Sequence, residues 1–296
     1  QTRYLYVQPK NKIDVLFLGS SHVHCNVNTQ LLWDEYGMAA YLMTGAEQPL
    51  WNSYYNLKEA LKTQKPKLVV LDIFCPSRFY DDFQPGWADE NLDGMRISLN
   101  KLEAVYTSVQ EEQSHFFLGF TEYHSRYDQL TTEDFQNFVW NRKTQERWKG
   151  YTPLNRHAEL TEPDMSHVTT SQEMTEKSKE YFEKVVELTK KEGITLALIS
   201  GPYLLEERDQ EVYNSIGQLA EKDGLLFWNT NTPAHYREMG LDFSTDYADH
   251  AHLNEAGGAK YTAYLGKWLS QNYSFPDRRG QKGYESWENQ LMKSGE

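Results

Sequence analysis

The chain has 296 residues, 39% of them hydrophobic and 14% aromatic, enough to bury a sizeable core in one large domain or two small ones. Thirty basic residues against 43 acidic residues give a formal net charge of −13, the wrong sign for holding the phosphate backbone of a nucleic acid. No stretch approaches the roughly 18 uncharged apolar residues that a membrane helix needs.

Short, nearly continuous apolar runs recur along the chain, a pattern typical of strands that are covered on both faces. The predicted strands are Ile13 to Leu18, Ala39 to Met43, Lys67 to Ile73, Ile194 to Ser200 and the shorter Leu225 to Trp228. Helical patterns separate them: Thr29 to Tyr36, Ser53 to Thr63, Thr175 to Lys191 and Glu211 to Lys222, with a final helix from Asn254 to Leu269. Strands that alternate with helices indicate a parallel sheet wrapped by helices.

About 100 residues between Pro76 and Ser171 interrupt this alternation. The segment includes a helical stretch near Met95 to Val109, and it is too long for a plain connection. We therefore expect an insertion after the third strand that packs over one end of the sheet. The polar residues from Gln271 to Glu296 show no clear period, and we expect them to form a surface extension.

A glycine and two serines, Gly19-Ser20-Ser21, directly follow the first predicted strand. In open α/β sheets, ligands bind at the carboxyl ends of the strands, so a hydroxyl at this turn would point into the binding crevice. By itself the turn is more typical of a serine that caps the next turn.

A second motif, Asp249-x-x-His252, lies just before the final helix. A serine nucleophile needs a base that takes its proton and a further acceptor that holds this base in the right tautomer. Residues three apart in a turn lie on one face, so Asp249 can accept from His252 and leave the other ring nitrogen facing Ser21. The pair Asp246 and His250 is the competing assignment for the acid and the base. Of the two serines, Ser21 is the predicted nucleophile, and Ser20 is expected to shape the turn.

These blocks resemble the signature of the SGNH (GDSL-like) hydrolase superfamily: Gly19-Ser20-Ser21, then Gly45 after the second strand, then Asp249-x-x-His252-Leu253-Asn254. The resemblance covers roughly residues 10 to 80 and 190 to 270. It implies an α/β fold of flavodoxin-like type, a three-layer α/β/α sandwich with a central, mainly parallel five-stranded sheet. It also implies one domain over 1–270, with 81–170 as an inserted cap and 271–296 as a C-terminal tail.

By the same resemblance, Ser21 is the nucleophile, His252 the base and Asp249 the acid. The N–H groups of Ser21 and Gly45 would form the oxyanion hole, and no metal or other cofactor is involved. The chain departs from the family where a G-x-N-D asparagine should follow the third strand, because it has LDIFCPSRFY there. The third oxyanion donor is then missing or comes from elsewhere, and Asn52, Ser77 and Arg78 are possible substitutes.

A subset of the superfamily lacks that third block and carries a long insertion. Its members are exported, membrane-anchored proteins that act on acylated cell-envelope polymers, some beside a membrane-bound O-acyltransferase. Tyr123-His124-Ser125-Arg126 in the insertion is similar to a segment of these proteins. The similarity implies an extracytoplasmic location, with an anchor upstream of Gln1.

Four further residues are candidates for substrate binding: His22, Asn52, His124 and Arg126. His22 is equally well explained as a polar residue at a helix start. For His124 and Arg126, a salt bridge that holds the insertion together is the commoner use of such a pair. Trp51, Trp87, Trp140 and Trp148 could form a sugar-stacking platform or the small core of the insertion. Cys25 and Cys75 follow adjacent strands of a flavodoxin-like sheet, so both a disulfide and two buried thiols remain open.

The sequence thus predicts an extracytoplasmic serine esterase or O-acyltransferase that acts on an acetyl or D-alanyl type ester of a cell-envelope glycan or polymer. The alternative is a non-catalytic SGNH-like protein that binds the polymer and assists a membrane-bound acyltransferase. A lipase-type α/β-hydrolase is excluded because the chain has no G-x-S-x-G nucleophile elbow.

Overall fold

The computed structural model describes residues 2–78, 87–110, 113–116 and 148–288. Within these ranges, five strands form one parallel sheet in the order β2-β1-β3-β4-β5. The strands are β1 (Val15–Gly19), β2 (Ala40–Thr44), β3 (Leu68–Asp72), β4 (Thr195–Ser200) and β5 (Leu226–Asn229). Helices cover both faces, so the predicted three-layer α/β/α architecture is confirmed.

The strands are apolar along their length because each of their faces packs against a separate core. In β1, Leu16 and Leu18 belong to one core, and Val15 and Phe17 belong to the other. All five residues of β1, β2 and β3 are buried. These three strands therefore lack the alternation of apolar and polar residues that a strand with one exposed face would show.

The helices divide between the two faces of the sheet. The first core includes side chains of α4 (Leu50–Ala60), α7 (Leu99–Ser108), α8 (Glu176–Glu192) and α9 (Glu207–Asp223). The second core includes side chains of α2 (Ser21–Asn26), α3 (Thr29–Tyr36), α10 (Pro233–Met239) and α11 (Glu255–Asn272). The short helices α1 (Thr2–Leu5), α5 (Phe74–Arg78), α6 (Ala88–Leu92) and α12 (Glu285–Glu288) complete the set. In the residues that the structure describes, no helix has the length and apolarity needed to span a bilayer.

The predicted bounds of α3 agree with the structure, and those of the other predicted helices lie within four residues of the observed ones. Gly37, Gly193 and Gly224 close α3, α8 and α9 in left-handed conformations, as C-cap glycines do. Helix α9 begins at Glu207, four residues before its predicted start, because Glu206 and Asp209 form a capping box there. Helix α4 begins at Leu50, three residues before its predicted start, with Pro49 at the N-cap position and no side-chain cap there.

The insertion lies between β3 and β4, as predicted. Its described part includes α6, α7 and a 3₁₀ turn at Gln113–Phe116, and α7 packs beside α4. After residue 148 the chain runs beside the loop that precedes α11, with Ala158 N–H donating to Tyr247 O. The boundaries of the cap and of the main domain stay a prediction.

The expectation of a purely surface C-terminal extension is wrong for Tyr284 and Trp287, which are buried in the first core. The Trp287 ring stacks near Trp33, and its Nε1–H donates to Ala40 O at 3.1 Å. Ala40 belongs to the edge strand β2, so the tail covers part of this edge. The segment has four aromatic residues at no regular spacing, Tyr273, Phe275, Tyr284 and Trp287, so the sequence does not show which of them are buried.

Candidate active site

The turn after β1 places Ser21 at the carboxyl end of the sheet. Gly19 adopts φ +150°, and a Cβ on it would lie 2.5 Å from Cβ of Asp72 on the neighbouring strand β3. Only glycine fits such a close approach at this φ. The chain then turns abruptly into α2, and Ser21 occupies the first helical position.

Ser20 is the N-cap residue of α2 and is fully buried. Its hydroxyl oxygen accepts from His22 N–H at 3.3 Å, and the hydroxyl donates to Asp72 Oδ2 at 3.0 Å. Since this hydroxyl is used inside the protein, Ser20 shapes the turn and Ser21 is the serine that faces the other site residues.

The structure brings Ser21, His252 and Asp249 together, although Ser21 and His252 are 231 residues apart. Ser21 Oγ lies 2.8 Å from His252 Nε2, and His252 Nδ1 lies 2.8 Å from Asp249 Oδ1. The His252 and Asp249 side chains keep 20% and 27% of their surface exposed, so the group is accessible at the surface. This is the geometry in which a carboxylate orients an imidazole toward a hydroxyl.

Asp249 is held by more than its contact with the imidazole. Its Oδ1 also accepts from the backbone N–H groups of Ala251 and His252, and its Oδ2 accepts from Arg156 at 2.9 Å. Burial acts to raise the pKa of the Asp249 carboxyl, but the attraction of His252, the Ala251 N–H and Arg156 outweighs it and holds the pKa below its usual value. Asp249 is therefore ionised at neutral pH, as an orienting carboxylate must be.

The competing pair Asp246 and His250 does not face Ser21. Asp246 is buried and pairs with Lys260 at 2.7 Å, and it also accepts from Asp242 N–H. His250 is exposed, while its backbone oxygen accepts from Leu204 N–H. The predicted preference for Asp249 and His252 agrees with this arrangement.

Asn26, which the sequence analysis did not single out, joins the serine helix to the histidine loop. It is fully buried at the end of α2, and its Oδ1 accepts from Leu253 N–H at 3.1 Å. Its backbone oxygen accepts from Thr262 Oγ1 of α11. These bonds fix the distance between Ser21 and His252 from behind the site.

Of the two predicted oxyanion donors, Ser21 N–H suits the role. It lies at the first position of a helix, where a backbone N–H has no acceptor within the helix. The prediction for Gly45 requires correction, because its N–H donates to Gly19 O at 3.3 Å and so continues the pairing of β1 and β2. Gly45 is instead explained by close packing, since a Cβ there would lie 2.1 Å from Asn91 Oδ1.

Two of the proposed substitutes for the third donor are buried within the protein. Asn52 is buried, and its Oδ1 accepts from Ser108 Oγ at 2.6 Å, which joins α4 to α7. Ser77 is buried and donates to Phe74 O. The side chain of Arg78 lies outside the described part of the chain.

The predicted substrate contacts divide into two groups. His22 and Asn52 are both 2% exposed, so neither is placed to touch a substrate from solvent. The His22 ring stacks on Phe74 at 3.5 Å and lies 5.5 Å from the His252 ring, forming part of the wall behind the base. His124 and Arg126 lie outside the described residues, and their predicted role stays a prediction.

The structure also decides between the alternatives for the two cysteines and for most of the four tryptophans. Cys25 and Cys75 are buried free thiols, so the disulfide alternative is wrong. Trp51 is buried with Lys177 over its ring, whereas Trp87 is 42% exposed. Trp148 packs against the second core, and Trp140 lies outside the described residues, so these tryptophans do not form one platform in the described part of the chain.

Asp72 is a buried carboxyl beside the serine turn. Burial raises its pKa to about 6, despite hydrogen bonds from Ser20 and from the Phe74 N–H that favour the ionised form. The raised value means that the folded state binds a proton more tightly than the unfolded chain does. The stability that this bound proton contributes to the fold is fully present below pH 3.8, the ordinary pKa of the carboxyl. It is lost as the pH rises through about 6.

Replacing Asp72 with asparagine is expected to remove this dependence while keeping a side-chain acceptor for Ser20. The free energy of unfolding of Asp72→Asn relative to the parent should therefore rise between pH 4 and pH 7. At about 1.4 kcal/mol per pH unit, the relative gain should be on the order of 2–3 kcal/mol. Urea unfolding at several pH values measures it, and a difference that does not change with pH would contradict the buried, proton-binding state of Asp72.

Arg156, like Asn26, is a residue at the site that sequence reasoning missed. It lies 93 residues from Asp249, inside the insertion, and no motif surrounds it. Only a contact between the insertion and the loop before α11 brings the two together.

No family model matches the chain, and no curated protein matches it either. Among solved structures, the chain is similar to a protein from Bacteroides fragilis described as a "putative acylhydrolase". The two are 12% identical, the match covers 91% of this chain and 94% of that one, and the TM-score is 0.46. At this level the similarity has no bearing on function, which must be argued from the site itself.

Proposed function

We propose that this protein is a serine esterase or O-acyltransferase of the SGNH type, with Ser21 as nucleophile, His252 as general base and Asp249 as the orienting acid. The observation that carries the proposal is the pair of 2.8 Å contacts that link Ser21 Oγ, the two nitrogens of His252 and Asp249 Oδ1. A nucleophile, a base within hydrogen-bond reach and an acceptor behind the base together form the minimal machinery of acyl transfer.

The chemistry follows from these contacts. Ser21 Oγ attacks the acyl carbonyl carbon while its proton passes to His252 Nε2, and the carbonyl oxygen becomes an oxyanion that Ser21 N–H can stabilise. The C–O bond to the leaving group then breaks, and His252 returns the proton to the leaving oxygen. A second cycle, in which His252 deprotonates water or an acceptor hydroxyl, releases the acyl group from Ser21.

Asp249 contributes through the tautomer of the base. Its carboxylate accepts from Nδ1–H of His252, so the lone pair of Nε2 faces Ser21. The same carboxylate stabilises the imidazolium that forms when the proton is transferred. Asn254, the N-cap of α11, donates from its side chain to Thr245 O and so connects the loop that bears Asp249 to the start of the helix.

The proposed substrate is an acetyl or D-alanyl type O-acyl ester on a cell-envelope glycan or polymer. The proposed setting is outside the membrane, beside a membrane-bound O-acyltransferase. Support for these finer points comes from the sequence resemblance alone: the missing third block, the long insertion and the Tyr123-His124-Ser125-Arg126 segment. The exposed site is compatible with a polymer chain, which cannot enter a closed cavity.

One observation favours the non-catalytic alternative, a polymer-binding protein that assists an acyltransferase. The Gly45 N–H is engaged with Gly19 O, and no family asparagine follows the third strand, so the oxyanion hole is poorer than in the family pattern. Each missing donor of this kind lowers the rate about 100-fold or more. The binding protein would retain affinity for the polymer and show no reactive serine.

Covalent labelling distinguishes the two functions. A fluorophosphonate reacts with a serine only when a neighbouring base activates it, and we expect one molecule of label per chain, at Ser21. Intact mass gives the stoichiometry, and fragment spectra separate Ser21 from Ser20 in the same peptide. A folded chain that stays unlabelled, or is labelled as fast after denaturation as before, would exclude the esterase and favour the binding protein.

A further inference from the structure

The insertion returns to the site along the segment 154–160, which the backbone holds beside the loop before α11. Ala158 N–H donates to Tyr247 O at 2.8 Å, and Leu160 N–H donates to Phe243 O at 2.9 Å. At the other end, Glu255 N–H donates to Leu154 O at 3.0 Å. The backbone around Arg156 is thus fixed on both sides to the loop that bears Asp249 and His252.

From this segment Arg156 reaches the carboxylate of Asp249. Its guanidinium nitrogen lies 2.9 Å from Asp249 Oδ2, while Oδ1 takes the three donors of the loop itself. The two oxygens therefore have separate tasks: Oδ1 holds the imidazole, and Oδ2 is held by the insertion. Hydrogen bonds between an arginine and a carboxylate are among the strongest that side chains form.

We propose that Arg156 is a positioning residue through which the insertion orients Asp249 and sets the pH range in which the Asp249–His252 pair is in its active, unprotonated form. This inference rests on the proposed function, because it assigns Arg156 a role in that same site. It goes beyond the proposed function in making the insertion a part of the catalytic machinery.

The sign of the effect follows from the charges around the pair. A positive guanidinium beside Asp249 helps to hold the pKa of this carboxyl below its usual value and so opposes the uptake of a proton at the site. Removing that charge should let the pair take up its proton at higher pH. The acid limb of the pH–activity profile should then move upward.

Burial keeps two titratable groups near the pair, both on α2, from changing charge in this range, and the remaining neighbours, such as His22 and His250, are the same in the parent and in the Arg156 variants. Burial and the neighbouring charge of His252 lower the pKa of His24 on α2 to about 3. Burial raises the pKa of Cys25, also on α2, to about 12. On the outer side, His157 and Glu255 line the same surface cavity as Arg156. Of the groups named here, Arg156 is the one that forms an ion pair with Asp249.

A merely structural ion pair would also join the insertion to the loop, so the test must separate the two roles. The Arg156 side chain is 66% exposed, and an exposed pair of this kind contributes little to stability. An effect on the pH profile is different, because it depends on the charge of residue 156 and is reduced by salt.

The experiment compares Arg156→Gln, Arg156→Lys and the parent in hydrolysis of an activated acetyl ester from pH 4.5 to 9. We expect Arg156→Gln to lower kcat about 3- to 10-fold and to move the acid limb upward by about 0.3–0.5 pH unit at low salt. Most of that shift should vanish in about 1 M salt. Arg156→Lys should keep the acid limb of the parent, since it keeps the charge, while losing part of kcat. Arg237→Gln, which removes an exposed charge from α10, is the matched control and should leave the profile unchanged.

Two outcomes would overturn the proposal while leaving the proposed function intact: an Arg156→Gln profile equal to that of the parent, or an equal shift in Arg237→Gln. If the parent neither turns over the ester nor reacts with fluorophosphonate, the proposed function has failed. In that case the carboxyl carbon signal of Asp249 provides the test by NMR. It should titrate at higher pH in Arg156→Gln than in the parent, and an unchanged titration would refute the electrostatic role of Arg156.

Discussion

Replacing Ser21 with alanine is expected to lower kcat for an activated acetyl ester by about 10⁴-fold or more, leaving only the weak catalysis that binding and oxyanion stabilisation provide. The reason is that Ser21 Oγ is the atom 2.8 Å from His252 Nε2, and alanine offers no atom that can form the acyl intermediate. Stopped-flow or plate-reader assays of ester hydrolysis measure the loss. Fluorophosphonate labelling should disappear in parallel.

The fold should survive this change, because the Ser21 side chain is only half-buried and the N-cap of α2 is supplied by Ser20. We expect the free energy of unfolding to stay within about 0.5 kcal/mol of the parent. Ser270→Ala, on the exposed surface of α11, is the matched control and should retain full activity. Equal rates in Ser21→Ala and the parent would end the assignment of Ser21 as nucleophile.

Replacing His252 with glutamine should have a comparable effect, a loss of about 10⁴- to 10⁶-fold in kcat. Glutamine can keep a hydrogen bond toward Ser21, but it cannot accept and return a proton near neutral pH. The variant should therefore bind an ester without activating the serine. The rate of fluorophosphonate labelling should fall together with kcat, because both depend on the same base.

His250→Gln is the matched control for this experiment. His250 lies two residues away in the same loop, is exposed, and anchors the loop through its backbone oxygen, which the substitution leaves in place. We expect this variant to be as active as the parent. If His250→Gln were inactive and His252→Gln active, the competing assignment would be favoured, although the structure pairs Asp246 with Lys260.

The sheet could be predicted because the residues that specify each strand and each helix end are close together in the sequence. Buried parallel strands such as Val15–Gly19 and Leu68–Asp72 are apolar along their whole length, and C-cap glycines mark the ends of the intervening helices. The Asp249-x-x-His252 spacing is local in the same sense, since one turn brings the carboxylate and the imidazole together. We expected Ser21 to lie near this pair because the carboxyl ends of parallel strands lie at one edge of the sheet, where ligands bind.

The errors concern atoms whose partners are distant in sequence. Gly45 was expected to offer its N–H to an oxyanion, but the register of β1 and β2 directs this N–H to Gly19 O. Asn52 was expected at the substrate, but Ser108 of the insertion engages its Oδ1. The same dependence on distant partners hid the burial of Trp287 and the contact between Arg156 and Asp249.

By itself, the sequence determined the α/β class, the order of strands and helices, and the side chains that could serve as nucleophile, base and acid. Apolar periodicity, capping residues and short spacings decide these features within a few residues of chain. Only the tertiary structure decided which polar groups are already engaged and which remain available, because a hydrogen bond between distant segments depends on how the insertion and the tail pack onto the sheet. The availability of Ser21 N–H, the loss of Gly45 N–H and the support of Asp249 by Arg156 are all of this second kind.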